Sequence, residues 1–262
     1  DEGTDAERPL FGEPGMEPEE HAWDHSRVVA LTESSTDAGA LVKEACSECG
    51  IEQSLPFTLR SVAEQDWVRV TQSQFDPIHI GQKIWVVPSW HDAPEPDALV
   101  LELDPGLAFG TGSHPTTRLC MEWLEAHVNA PVSMLDYGCG SGILAIAAKK
   151  LGAEEVVGVD IDSQAIISSQ FNAEQNHVEA DFYMATHYPE KPADIVVANI
   201  LSSALMVLAP ALARACKSQG RIALSGILRE QTEQVSQIYA EWFNMDAPVF
   251  MDSWVLLSGT KK

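Results

Sequence analysis

The sequence is short of positive charge. Only 16 Lys and Arg stand against 39 Asp and Glu, a formal net charge of −23 over 262 residues. A groove that follows nucleic-acid phosphates needs a basic stripe, so no direct nucleic-acid partner is expected. The same imbalance would speed the approach of a basic partner, although acidity that serves only solubility is the plainer alternative. No apolar run reaches the roughly 20 residues of a membrane helix, and no signal-peptide pattern opens the sequence, so no membrane partner is expected. The five cysteines are an odd number and cannot all pair, which points to a reducing compartment, the cytoplasm. Cys46 and Cys49 form a lone C-x-x-C inside an amphipathic helical pattern, with no second pair to complete a zinc site. His21 and His25 share helical spacing but lack a third ligand, so no metal is expected. There is no internal repeat.

What is present centres on residues 134–162, MLDYGCGSGILAIAAKKLGAEEVVGVDID. A short apolar run ends in Asp136 and passes into Gly138-Cys139-Gly140-Ser141-Gly142. A helical stripe follows from Ile143 to about Leu151, Gly152 stops it, and a second apolar run from Val156 ends at Asp160. Strand, glycine turn, helix, strand and acid make one βαβ unit of a nucleotide-binding sheet. Glycines let the backbone approach a ligand where the helix N-terminus presents free N–H groups. Asp160 is placed to accept hydrogen bonds from ribose hydroxyls. A dinucleotide fingerprint is G-x-G-x-x-G/A, yet Ile143 stands where that pattern needs a small residue, which disfavours an oxidoreductase. An acid two residues before G-x-G-x-G resembles instead the first motif of class I methyltransferases that use S-adenosylmethionine. The plain alternative is a generic α/β turn.

The rest of the chain reads in order. Residues 1 to about 25 are acidic and rich in Pro and Gly, an arm rather than core. Arg27–Leu31 and Phe57–Val62 read as strands around a helix capped at Thr36 or Asp37 and stopped by Gly50. These make an N-terminal domain over residues 1–62, followed by a linker helix over residues 63–75. The catalytic domain is expected over residues 76–262. Ile78–Trp90 suggests a hairpin around Gly81, and Leu99–Leu103 a short strand. The glycine- and proline-rich segment 104–117 is a shaped loop that runs not into Gly-Lys-Ser/Thr, as a phosphate loop would, but into Thr116 and Thr117, expected caps of a helix through His127. Beyond the central unit, helices are expected over Ser163–Asn176, Ser203–Cys216 and Glu230–Phe243. Strands alternate with them at Ala180–Met184, Ala193–Ala198 and Arg221–Ser225. Two final runs, near Val249–Phe250 and Trp254–Ser258, have no helix between them, so the last strand runs antiparallel. The fold class is α/β, a doubly wound sheet of seven strands with a smaller N-terminal α/β domain.

F-G-T-G-S-H-P-T-T at 109–117, D-Y-G-C-G-S-G-I-L-A at 136–145, V-D-I-D at 159–162 and N-I-L at 199–201 occur in that order. Together with P-L-F-G-E-P-G at 9–15 and E-Q-D-W-V-R at 64–69, they resemble the PrmA family, bacterial methyltransferases of large-subunit ribosomal protein eleven. The resemblance covers nearly the whole chain. It implies a Rossmann-like enzyme that uses S-adenosylmethionine to methylate N-terminal α-amines and lysines of a basic ribosomal protein. It also implies a small recognition domain. That domain is expected to be incomplete here, because the family pattern opens with a strand–helix–strand ahead of the acidic loop. A second departure is Ala204, where the family carries proline. By the resemblance, Thr117, Gly138, Asp160 and Asn199 hold the cofactor, and Asn199 also aligns the attacking amine. Phe109, Gly110, Thr111 and Gly112 form a flap over the cofactor. Asp136 and Gly140 complete the glycine turn, with Asp136 anchoring it and reaching the cofactor's ammonium through water. His114 is a weaker candidate for a general base. A monomer is expected. A non-catalytic cofactor-binding or assembly protein is the alternative function.

Overall fold

The computed structural model describes residues 29–30, 32, 36–51, 55–59, 75–92, 95, 98–104 and 112–262. By compactness the chain divides into two units, Asp1–Asp66 and Trp67–Lys262.

In the first unit the described regular element is helix α1 (Ala38–Glu48). Asp37 is its N-cap, and the carboxylate accepts the Ala40 N–H at 3.1 Å. Cys49 closes the helix, and Gly50 follows at φ +72°. Cys46 is buried while Cys49 is exposed, so the C-x-x-C thiols face different surroundings. The strand expected at 57–62 does not form over its described part, residues 57–59, where Phe57 and Leu59 are exposed. Val29 and Ala30, inside the other expected strand, are likewise exposed and irregular. The linker helix, apart from Phe75, lies outside the described residues, as do Phe109, Gly110 and Thr111.

In the second unit the first described regular elements form a three-stranded sheet, β1 (Ile78–Ile80), β2 (Ile84–Val87) and β3 (Leu99–Glu102). β1 and β2 form the expected hairpin around Gly81, and β3 runs parallel to β2. Helix α2 (Pro115–His127) follows. The alternation then runs β4 (Ser133–Tyr137), α3 (Ile143–Leu151), β5 (Glu155–Asp160), α4 (Ser163–Gln175), β6 (Asp181–Met184), β7 (Ala193–Asn199), α5 (Ser202–Ala215), β8 (Cys216–Leu228) and α6 (Thr232–Tyr239). Three strands finish the chain, β9 (Phe243–Met245), β10 (Val249–Met251) and β11 (Trp254–Lys261).

The large sheet has the order β10-β11-β8-β7-β4-β5-β6, with β9 also paired to β11. It is seven positions wide, and the outermost position is divided between β9 and β10. β4 to β8 are mutually parallel, and β11 lies antiparallel to β8 as expected from the missing helix. Alternate residues of one strand enter opposite cores, as the two-residue period of a strand requires. Met134, Ile195, Val197 and Ala223 join α2, α3 and the small sheet. Their neighbours Leu135, Val196, Ala198 and Leu224 join α5 and α6. Burial on both faces explains why β7 reads ADIVVAN, a nearly unbroken apolar run.

Two helix ends differ from expectation. The cap of α2 is His114, with Pro115 as first helical residue, and Thr116 and Thr117 lie buried inside the first turn. Proline at that position gives up an N–H that has no helical partner anyway, so the helix starts there. At the other end α6 stops at Tyr239, because Phe243 is taken by β9 and pairs with Lys261.

Candidate functional site

In an open parallel sheet, ligands bind beyond the carboxyl ends of the strands where the winding reverses. Here the chain moves outward from β4 through β5 to β6, then returns to β7 on the other side of β4. The crevice therefore lies between the ends of β4 and β7. Gly138 follows β4, Asn199 ends β7, and Asp160 ends β5. A small cavity at the opposite end of the sheet is lined by Ser133, Glu155 and Lys191, far from all three.

The glycine turn is fixed by backbone geometry. Gly138, Gly140 and Gly142 adopt φ of +83°, +52° and +79°, a region that side chains with a Cβ enter at a cost. A Cβ on Gly138 would fall 2.3 Å from Ile200 Cγ2, and one on Gly142 would fall 2.9 Å from Ser169 Cβ. The Gly138 and Cys139 N–H groups donate to the Val159 carbonyl at 2.7 and 3.1 Å, which ties the turn to β5. Asn172 Nδ2 donates to the Ser141 carbonyl at 2.8 Å and holds the far side of the turn to α4.

Asp160 organises its own surroundings. One carboxylate oxygen accepts the Gly140 N–H at 2.9 Å and the other the Asp162 N–H at 3.0 Å. Each oxygen has a second lone pair, so the carboxylate retains capacity for ligand hydroxyls.

Asp136 is wholly buried. Its Oδ2 accepts the Ala145 N–H at 3.2 Å and so serves an open donor in the first turn of α3, which has no capping side chain of its own. Its Oδ1 is buried without a protein partner. Burial pushes this carboxyl up to about 7, against the Ala145 bond and with the help of Asp160 nearby. An unfilled acceptor at this depth is a place for a donor from a ligand or its water. Cys139, the filler of the turn, has its thiol pushed well above the usual range by burial and by the neighbouring Asp136 and Asp160. It is therefore no ready nucleophile.

Across the crevice, Asn199 Nδ2 donates to Thr117 Oγ1 at 3.4 Å, a weak contact that brings β7 and α2 together. His114 stands one turn before Thr117. Its Nδ1 lies 2.8 Å from Thr116 Oγ1, and its ring meets the Trp254 ring edge-on at a centroid distance of 4.9 Å. Partial burial lowers its pKa. The cap engages Nδ1 of the ring. Gly112 sits at φ +84° with Val86 Cγ2 3.0 Å and Ile143 Cδ1 3.5 Å from where its Cβ would be. Ile143, too large for the dinucleotide pattern, is a core residue packed beside Gly112.

The structure brings together Gly138, Gly140, Asp136 and Asp160 on one side, and Thr117 and Asn199 on the other. It adds two residues that motif reading did not single out as site residues. Ile200 packs on Gly138, and Gly226, after the pairing of Ser225 with Asn199, lies at φ +82° against the Ile200 backbone. A glycine closing the apolar run 221–225 is the only signal in the sequence; in the structure Gly226 lies within β8, which continues to Leu228. Among the described residues, no three or more His, Cys, Asp or Glu converge on a metal position.

Comparison with known proteins agrees with this geometry. A family model described as ribosomal protein L11 methyltransferase (PrmA) matches residues 1–262. A protein named ribosomal protein L11 methyltransferase from Methylobacillus flagellatus is 63% identical over 99% of this chain and 87% of its own length. One of the same name from Burkholderia mallei is 56% identical over 100% of this chain and 87% of its own. The crystal structure of a ribosomal protein L11 methylase from Lactobacillus delbrueckii subsp. bulgaricus superposes with a TM-score of 0.66 at 34% identity, covering 72% of this chain and 100% of that one. A Pyrococcus furiosus methyltransferase, 14% identical with a TM-score of 0.53, covers 62% of this chain and 89% of its own and shares the fold alone. The chain belongs to the PrmA family of ribosomal protein L11 methyltransferases.

Proposed function

We propose that the chain transfers methyl groups from S-adenosylmethionine to amines of ribosomal protein L11, both the N-terminal α-amine and lysine side chains. The observation that carries the chemistry is the crevice between β4 and β7. A glycine-rich turn follows one strand end, with a buried, unpartnered carboxylate oxygen on that strand, and an uncharged amide stands at the other. S-adenosylmethionine, when bound, supplies an electrophilic methyl group on a sulfonium.

The residues of the chain do the rest. Asp160 accepts the ribose hydroxyls, and the Gly138–Gly140 turn allows close backbone approach. Asp136 Oδ1 takes the cofactor's ammonium, directly or through water. Thr117 holds Asn199 Nδ2, so the amide turns its oxygen toward the incoming amine. An attacking amine must be neutral with its lone pair aligned, and an amide oxygen with backbone carbonyls provides the alignment without the full charge that would favour an ammonium. Of the expected flap, Gly112 alone lies among the described residues. The formal charge of −23 suits a basic ribosomal protein as substrate. We assign residues before about Val62 to its recognition and residues 76–262 to catalysis. Five unpaired thiols suit a reducing compartment, and we place the protein in the cytoplasm.

Chemical blocking tests the substrate assignment. L11 acetylated on its amines should accept no methyl group from this enzyme, while untreated L11 accepts several. Equal incorporation into both would remove amines as the acceptors.

A further inference from the structure

We infer that Gly226 is a positioning residue for methyl transfer, acting through the peptide of Ile200 on the Asn199–Leu201 turn. This rests on the reading above, in which the Asn199 end of β7 aligns the amine. β7 lies between β4 and β8 in the sheet, so the residue that follows β7 is flanked by the turn after β4 and by the last residues of β8. On one side stands Gly138, whose missing Cβ leaves room for Ile200 Cγ2. On the other stands Gly226, and there the contact is with backbone. A Cβ on Gly226 would lie 2.2 Å from the Ile200 carbonyl oxygen, 2.7 Å from its carbonyl carbon and 3.1 Å from its nitrogen. Both glycines have positive φ, +83° and +82°.

The two contacts differ in kind. Ile200 can turn its side chain away from an added group at Gly138, but no rotamer moves the Ile200 peptide away from an added group at Gly226. Bringing 2.2 Å to the 3.4 Å at which ordinary contact begins takes about 1.2 Å of backbone movement. The residue displaced with it is Asn199, one position earlier, together with the carbonyls that face the amine. Misplacement of a reacting group by about 1 Å costs on the order of 10²-fold in rate. Asp136, Gly140 and Asp160, which hold the cofactor, lie on β4, its following turn and β5, away from β8. Asn199 and Gly138, also assigned to the cofactor, border the displaced turn, so a substitution at Gly226 weakens cofactor binding somewhat but lowers turnover at saturating cofactor far more.

Two substitutions divide backbone strain from crowding. Gly226→Ala suffers both the positive φ and the added Cβ. Gly226→Asn suffers chiefly the Cβ, since asparagine tolerates the left-handed region. The test is single-turnover methylation of L11 at saturating S-adenosylmethionine, with calorimetric binding of S-adenosylmethionine reporting the folded fraction. Both variants should bind S-adenosylmethionine with full stoichiometry, with an affinity lowered about tenfold at most because Asn199 also holds the cofactor, and both should lose about 10²-fold in turnover at saturating S-adenosylmethionine. Gly226→Asn turning over at the parent rate with full cofactor binding overturns the inference. Should either variant bind the cofactor below full stoichiometry, turnover per bound S-adenosylmethionine decides: a value about 10²-fold below the parent is expected, and the parent value overturns the inference. Asn199→Ala, assayed alongside, keeps the two claims apart. Parent turnover in that variant removes the Asn199 amide from the chemistry, whereas a slow Gly226→Asn beside it still assigns the turn's position to Gly226.

Discussion

Replacing Asp136 by Asn isolates the charge of the buried carboxylate from its shape. In the folded chain this group is fully buried, donates nothing, accepts the Ala145 N–H through Oδ2, and leaves Oδ1 without a protein partner. Burial first, and then the nearby Asp160, raise it to about 7. If its ionised form receives the ammonium of S-adenosylmethionine, apparent affinity scales with the ionised fraction, about a tenth at pH 6 and nine-tenths at pH 8. Wild-type affinity should therefore gain about tenfold over that interval. The ammonium's own titration, near 7.7–8.0 for an ordinary α-amine, brings a falling limb that both proteins share. The ratio of wild-type to Asp136→Asn affinity removes it. A hydrogen bond to a charged group contributes about 1.5–3 kcal/mol, so at pH 8 the ratio should be on the order of 10- to 100-fold. By pH 6 it should shrink about tenfold. Calorimetry at several pH values, in buffers of differing ionisation enthalpy, gives both the ratio and the protons released. A ratio that stays flat from pH 6 to pH 8 refutes the reasoning. Stability runs the opposite way with pH. A raised folded pKa means stability that is whole below about pH 4 and is lost as pH rises through about 7. Asp136→Asn has no such loss, so its melting temperature should gain on the wild type across that window.

Asp160→Ala should weaken S-adenosylmethionine binding at least tenfold, since two hydrogen bonds to a charged acceptor are lost, each about 1.5–3 kcal/mol, and calorimetry checks it. The Gly140 N–H also loses its acceptor, so circular dichroism should show a folded chain with a looser turn. Asn199→Ala should lower single-turnover rate on the order of 10²-fold, and Asn199→Asp should be no better because its charge holds the amine protonated. Lysine methylation should rise more steeply than α-amine methylation between about pH 7 and 9, because lysine at about 10.4 is rarely neutral there. Site-resolved mass spectrometry across that range measures the two slopes.

The parts of the site that depend on local backbone demands were legible in the sequence. Gly138, Gly140 and Gly142 all take positive φ, and the acid after the next apolar run falls at the end of β5 beside them. The end of β7 was legible because the strand is buried on both faces, so its apolar run is followed by the polar Asn199; a role for Asn199 came from the family resemblance. What sequence did not show depends on packing between distant residues. Gly226 and Ile200 meet only because β7 and β8 are neighbours in register, and nothing in either segment announces the other. His114 rather than Thr116 caps α2 because Pro115 fits the first helical position, which moves the start back past both threonines. The helical pattern after Glu230 ran on through Phe243, but that residue contributes to a strand edge on β11, a contact set by the sheet.

The most direct measurement is intact-mass spectrometry of purified L11 after incubation with this enzyme and S-adenosylmethionine, beside a parallel reaction with Asn199→Ala. The account predicts a series of added methyl groups on the α-amine and lysines with the wild type, and on the order of 10²-fold slower addition with the variant. An L11 mass unchanged by the wild-type enzyme, or a variant that methylates at the wild-type rate, would contradict it.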